Sequence, residues 1–250
     1  MANERLRGAI VESGLTLEQV ADRIGVNIKT VERWINGGRP PYRRHKYATA
    51  KLLRREVSHL WPEARTASEV TDAGQAELIK LYPHRNMVPG HLWTRLYAQA
   101  TKRFDILTYS AFWLTEDLNF HRIVKEKAAA GLHMRFIFAD PDSAAVALRG
   151  EEEGVGSAQA SKTRNALVNC APLFGLPGVE FRLHGTTLYN SLYRADDEML
   201  ANTHVYGISA WLAPVLHVQR VPGGEVFDTY AESIERVWET GRRIFSPKEC

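Results

Sequence analysis

The order of apolar and polar positions divides the chain into a short helical part and a longer part of mixed character. Near the start, Leu6, Ile10 and Val11 recur at helical spacing and Gly14 follows as a stop, which predicts a first helix over residues 3–13 with those three side chains inward. Thr16-Leu17-Glu18-Gln19 has the composition of a capping box, in which the hydroxyl and the amide side chain satisfy free backbone amides at a helix start. Leu17, Val20, Ala21 and Ile24 then fall at i, i+3, i+4 and i+7, giving one buried stripe that ends at Gly25. Asn27 suits the cap of a third helix with Val31, Trp34 and Ile35 inward and Lys29, Thr30 and Arg33 outward. Gly37-Gly38 and Pro40-Pro41 close it. A fourth helix is predicted from about Arg43 to Leu60, with Ala50, Leu53, Val57 and Leu60 along one side.

The pattern then changes. The stretch over 63–76 is polar and small, as a linker would be, between one domain over 1–62 and a second over 77–250. In the second, an apolar run at Phe104–Trp113, a helical segment at Asn119–Ala130 and a second run at Met134–Phe138 predict a β-α-β unit. A long helical stretch over Ser143–Phe174 follows. Strand-like pieces come next at Val179–Leu183, Leu188–Arg194, Met199–Tyr206 and Val215–Val218. An amphipathic helix over Val226–Arg243 closes the chain, with Phe227, Tyr230, Ile234 and Trp238 inward. The expected class is α+β overall, an all-α domain followed by an α/β domain.

Composition adds bounds. With 44% apolar and 24% charged residues the chain has material for a packed core, which excludes a disordered tail protein. No run approaches 18 apolar residues, the first ten residues lack the apolar core of a signal peptide, and Cys170 and Cys250 have neither metal-ligand nor disulfide spacing. The expectation is a cytoplasmic protein with no membrane partner, no metal and no cofactor. Net charge is only +3, yet residues 1–62 carry twelve Lys/Arg against six Asp/Glu. From Arg39 through Arg43, Arg44, Lys46, Lys51 and Arg54 to Arg55 no acidic residue intervenes, so this half is the one suited to a polyanion.

The run LTLEQVADRIGVNIKTVERWINGGRPP, with its capped second helix, Gly25 in the turn and apolar residues at 24, 31 and 34, resembles the Cro/C1-type (XRE) helix-turn-helix family of bacterial transcriptional regulators. The resemblance covers about a quarter of the chain. It implies that the third helix enters the major groove of double-stranded DNA. Lys29 and Arg33 would then donate to guanine edges, Ile28 would either meet a thymine methyl or, three residues before Val31, pack into the core, and Asn27, Thr30, Asn36, Arg39, Arg43 and Arg44 would hold phosphates.

Residues 100–245 resemble, in their order of elements, one half of the phospholipase D-like fold. The motif of that superfamily is His-x-Lys-x-x-x-x-Asp, and on the hairpin LYNSLYRADDEMLANTHVYG it aligns Asn190 with the nucleophilic His, Leu192 with the Lys and Asp197 with the Asp. An amide and an alkyl group supply neither the nucleophile nor the charge that phosphoryl transfer needs. The candidate ligand pocket expected from this comparison comprises Asp140, Arg164, Asn165, Asn190, Arg194, Asp197, Asn202 and His204, with Asp142 at its rim. His133-x-Arg135-x-x-x-x-Asp140 has similar spacing, but its first two members open a strand, away from the carboxyl ends where ligands gather. The reading is a DNA-binding regulator whose second domain lacks catalysis and dimerises on a palindromic operator, senses a small polar or phosphorylated effector, or does both. The alternatives are a DNA-directed phosphodiesterase or nuclease, in which His133, His184 or His204 replaces the nucleophile, and a scaffold that binds only protein.

Overall fold

The computed structural model describes residues 2–37, 40–61 and 67–249, and the chain divides into two compact units, Met1–Asp72 and Ala73–Cys250. The class is α+β, with an all-helical first unit and an α/β second unit.

In the first unit, α1 (Glu4–Glu12) is capped by Asn3, whose side chain accepts from the Leu6 amide. The capping box opens α2 (Leu17–Ile24): Thr16 Oγ1 accepts from Gln19 N at 3.2 Å and Thr16 N donates to Gln19 Oε1 at 3.0 Å. Gly25 takes φ 74°, the left-handed turn that sends the chain into α3 (Ile28–Ile35). The core joins Leu6, Ile10, Val20, Ala21, Val31, Trp34 and Ile35 with Ala50, Leu53 and Leu60 from the following helices. Two expectations change here. Val11 is exposed and not inward, because Leu6, Ala9 and Ile10 already fill that face of α1. The fourth helix is broken: α4 (Arg43–Leu53) stops where Arg54 adopts φ 53°, and a short α5 (Val57–Leu60) resumes. Gly38, Arg39 and residues 62–66 lie outside the described residues.

Helix α6 (Ala67–Glu77) occupies much of the segment expected to be a linker and runs into the second unit. There β1 (Leu78–Tyr82), α7 (Gly90–Gln99), β2 (Phe104–Thr108), a single turn α8 (Phe112–Thr115), α9 (Leu118–Ala129) and β3 (Met134–Ala139) follow. The expected long helix is two, α10 (Ala144–Glu152) and α11 (Ala158–Asn169), separated by Gly154 and Gly156 at positive φ. Then come β4 (Val179–His184), β5 (Asn190–Ala195), β6 (Glu198–Thr203), β7 (Val215–Gln219), α12 (Val226–Thr240) and β8 (Arg242–Ile244). One sheet has the order β1-β7-β6-β5-β2-β3-β4-β8. Strands β2, β3 and β4 run parallel, as the β-α-β reading requires, and the other pairings are antiparallel.

Alternation along the strands gives the sheet two apolar faces. On one, Phe104, Ile106, Phe136, Phe138 and Phe181 pack with Leu92, Leu96 and Tyr97 of α7 and Phe120 and Ile123 of α9. On the other, Leu107, Ile137, Ala139 and Leu192 lie under Val146 of α10 and Phe227 and Ile234 of α12. Glu77, fully buried, accepts from Val226 N at 2.7 Å and Phe227 N at 3.0 Å and so caps α12. Gly224 is required beside it, since a Cβ there would stand 2.1 Å from the Glu77 carboxyl carbon.

The second face also holds charge. Asp105, with no exposed surface, accepts from Arg103 Nε at 2.7 Å and Arg135 Nε at 2.6 Å, and Arg135 bridges on to Glu235 of α12 at 2.9 Å. Arg135 also lies over the Trp238 ring at 4.7 Å. Replacing Asp105 leaves the half-buried Arg103 and Arg135 with Glu235 as their remaining carboxylate. Asp105→Ala, which removes their charge-assisted hydrogen bonds, should therefore cost about 1.5–3 kcal/mol in urea unfolding of the second unit, and a loss below about 1 kcal/mol would show that the network carries little.

Candidate functional site

A pocket of about 180 Å³ opens beyond the carboxyl end of β2, the edge of a parallel sheet where ligands gather. Thr108 ends β2, Ser191 is the second residue of β5 and His204 follows β6; all three line it with Tyr109, Trp113, Lys162, Trp211 and Arg85. Ser191 is hydrogen-bonded on both sides, to Thr108 Oγ1 at 3.0 Å and to His204 Nε2 at 3.0 Å. His204 Nδ1 lies 3.0 Å from the Leu188 carbonyl, and Tyr109 tilts over the imidazole with centroids 5.3 Å apart.

The direction of this chain follows from elementary chemistry. A carbonyl oxygen only accepts, so His204 Nδ1 carries the proton. Burial pushes the His204 pKa down to about 4, and nearby Arg149 and Arg85 lower it further against the Leu188 bond, so the ring is neutral at pH 7 and Nε2 is bare. Ser191 therefore donates to Nε2, and Thr108 donates to Ser191. His184, at the end of β4, is likewise pushed down to about 4 by burial, with its Nε2 donating to the Thr108 carbonyl at 3.2 Å.

The expected pocket members separate. His204 lines the pocket. Asn202 is fully buried behind it on the same face as Ser191, its Nδ2 donating to the Pro214 and Ala213 carbonyls at 3.1 and 3.3 Å. Asn190 and Leu192, aligned with the catalytic pair, fall on the opposite face of β5, and Leu192 is core. Arg194 shares that opposite face, 3.8 Å from Asp105, and belongs to the ion network rather than to the pocket. Asp197 sits in the β5–β6 turn at the far end of the hairpin, paired with Arg220 at 2.9 Å. Arg164 is exposed and pairs with Asp142, Asn165 is exposed, and Asp140 holds its own turn through the Asp142 amide at 3.1 Å while accepting from Arg242 at 3.3 Å. His133 is exposed and Arg135 is committed to Asp105, so that spacing builds no site.

The same motif spacing shifted by one residue, Tyr189-x-Ser191-x-x-x-x-Asp196, has its central member in the pocket. Asp196 accepts from the amides of Thr101, Lys102 and Arg103 at 2.7–2.9 Å; burial raises its pKa, but those amides outweigh it and hold the carboxyl below its ordinary value. Period-two alternation from the buried Tyr193 was the available signal for Ser191. Arg85 had none, since it lies in a segment with no clear period.

In the first unit, Lys29 and Arg33 are exposed one turn apart on α3, with Asn36 exposed at its end and Thr30 partly buried. Asn27 caps the helix through the Lys29 amide at 2.9 Å. Ile28 is partly buried against the core. Arg43 and Arg44 are exposed in the first turn of α4, Arg43 lying over the Tyr47 ring at 5.5 Å.

No family model and no curated protein matches the chain. Among solved structures it is similar to TrmBL2, an archaeal chromatin protein, at 12% identity and TM-score 0.42, over 80% of this chain and 62% of that one. It is also similar to Nuc of Salmonella typhimurium, a phospholipase D family member, at 13% identity and TM-score 0.38, over 62% of this chain and 90% of that one. For the phosphatidylserine synthase of Haemophilus influenzae the identity is 13% and the TM-score 0.46, over 68% of this chain and 40% of that one. This chain thus spans about three fifths of the TrmBL2 chain. No helix among the described residues is long and apolar enough to cross a membrane.

The two depressed histidines set a pH dependence. An unfolded histidine titrates near 6.5, so between about 6.5 and about 4 the unfolded chain takes up protons that the folded chain refuses, and stability falls as the pH falls. By pH 5 the loss should be about 2 kcal/mol per histidine. Urea unfolding at pH 7 and pH 5 checks this: His204→Gln should lose less stability over that interval than the unaltered chain, and an identical loss would contradict it.

Proposed function

We propose that this chain is a sequence-specific DNA-binding transcriptional regulator of the XRE type. The observation that carries the reading is the exposed Lys29–Arg33 pair on a helix whose back, Val31, Trp34 and Ile35, is buried. A helix so divided can lie in the major groove while remaining part of its own core. Lys29 and Arg33 face base edges, Ile28 and Thr30 flank them, and Asn27, Asn36, Arg43 and Arg44, with Arg39, position the protein on phosphates. The twofold excess of basic over acidic residues in this half supports the choice of a polyanionic partner.

The second unit, in this reading, is a phospholipase D-like domain without that family's catalysis. Neither alignment of the His-x-Lys motif supplies both groups: Asn190 and Leu192 stand there in one, Tyr189 and Ser191 in the other. No cation takes the lysine's place on the strand. The domain pairs with a second copy, so that two recognition helices meet half-sites about 34 Å apart, and it responds to a small ligand in its pocket.

Base reading and phosphate binding separate by mutation. Arg33→Ala should relax preference at one operator position by about 1–3 kcal/mol. Arg43→Ala should weaken binding to all sequences alike and reduce the slope of log affinity against log salt by about one. Fluorescence anisotropy with matched and scrambled duplexes at several salt concentrations measures both. Unchanged affinity, preference and slope in both variants would overturn the assignment.

A further inference from the structure

The pocket beyond β2 combines three features that its hydrogen-bonded floor does not use. Arg85 and Lys162 line it, and neither has a carboxylate partner among the described residues; Arg85 lies over the Trp113 ring at 5.1 Å. Glu153 also lines it, but is held by buried Arg149 at 2.6 Å and by Ser209 Oγ at 3.1 Å, and Arg149 in turn reaches Glu152 at 3.4 Å. Three cations thus face two carboxylates around a neutral imidazole, leaving one positive charge for an occupant.

The third feature is the wall. Tyr109, Phe112, Trp113 and Trp211 supply flat apolar surface. In volume the pocket, about 180 Å³, compares with the cavity of about 150 Å³ that takes a benzene ring.

We propose that this pocket receives a small planar monocarboxylate, an aromatic acid in chemical class, whose carboxylate is held by Arg85 and Lys162 and whose ring lies among the aromatic walls. A single excess charge favours a monoanion over the dianion of a phosphate monoester, because the second charge would stand beside Glu153 without compensation. The assignment rests on the reading of the second unit as a ligand sensor and names the class of its ligand.

Isothermal titration of the full chain with benzoate tests it, with benzamide and inorganic phosphate as comparison probes. The expected result is saturable one-to-one binding of benzoate, no binding of benzamide, and at least tenfold weaker benzoate binding in Lys162→Gln and in Arg85→Gln. Circular dichroism melts establish that the two variants are folded. Absence of benzoate binding to the unaltered chain, equal binding of benzamide, tighter binding of phosphate, or full affinity in both folded variants would each overturn the proposal. Repeating a duplex titration with saturating benzoate separates the two readings. Benzoate binding with a change in DNA affinity supports both, whereas benzoate binding with unchanged DNA affinity supports the pocket assignment and removes the sensor reading.

Discussion

The register of β5 between β2 and β6 is the constraint on which the second unit depends. β5 lies inside the sheet with neighbours on both edges, so its odd and even residues are committed to opposite faces. Leu192 and Arg194 go beneath α12, one into apolar core and one beside the buried charges. Ser191 and Tyr193 go to the other face, one into the pocket and one among the aromatic rings of Trp93 and Trp113. A slip of one residue would put a leucine where Thr108 and His204 meet and a serine into the core. The register is fixed at the far end of the hairpin, where Asp196 takes the three amides that lead into β2. A turn distant from the pocket therefore determines which side chains form it.

Energetics and function meet on that same sheet. The face under α12 places charged groups where an apolar pattern would be expected, and each has a partner: Asp105 with Arg103 and Arg135, Glu235 with Arg135, Glu77 with the first amides of α12. Such groups stabilise as a set, since removal of one leaves its partners with fewer compensating charges. The pocket edge is the converse case. Its floor is a neutral chain from Thr108 through Ser191 and His204 to a carbonyl, while Arg85 and Lys162 at its sides have no carboxylate partner among the described residues. Saturation inside and unspent charge at the opening distinguish a structural network from a binding site.

Much of this was legible in the sequence where one period dominated. The capping box at Thr16, the turn at Gly25, the buried backs of α2 and α3, the β-α-β unit and the closing helix all follow from spacing and turn chemistry. The misses share a cause: tertiary context overrode local pattern. Arg54 breaks the fourth helix in a conformation that no side chain of arginine announces. Val11 satisfies the helical period yet points outward, because Leu6, Ala9 and Ile10 already fill the buried face of α1. β1 is mostly exposed, so it had no alternation to detect. Motif alignment points to Asn190 and Leu192, which the strand register turns to the face away from the pocket. Alternation from the buried Tyr193 selects Ser191.

The two units offer complementary features: α3 carries a cationic line on a helix with a buried back, and the sheet carries a small pocket lined by Arg85 and Lys162. Regulation by DNA contact is the claim that joins them. Selection of duplexes by the full chain from a randomised library, followed by sequencing, tests that claim most directly. The account predicts enrichment of a common motif with twofold symmetry, lost when Lys29 and Arg33 are both replaced by alanine. Recovery of unrelated sequences by the unaltered chain, or of the same motif by the doubly substituted one, would contradict it.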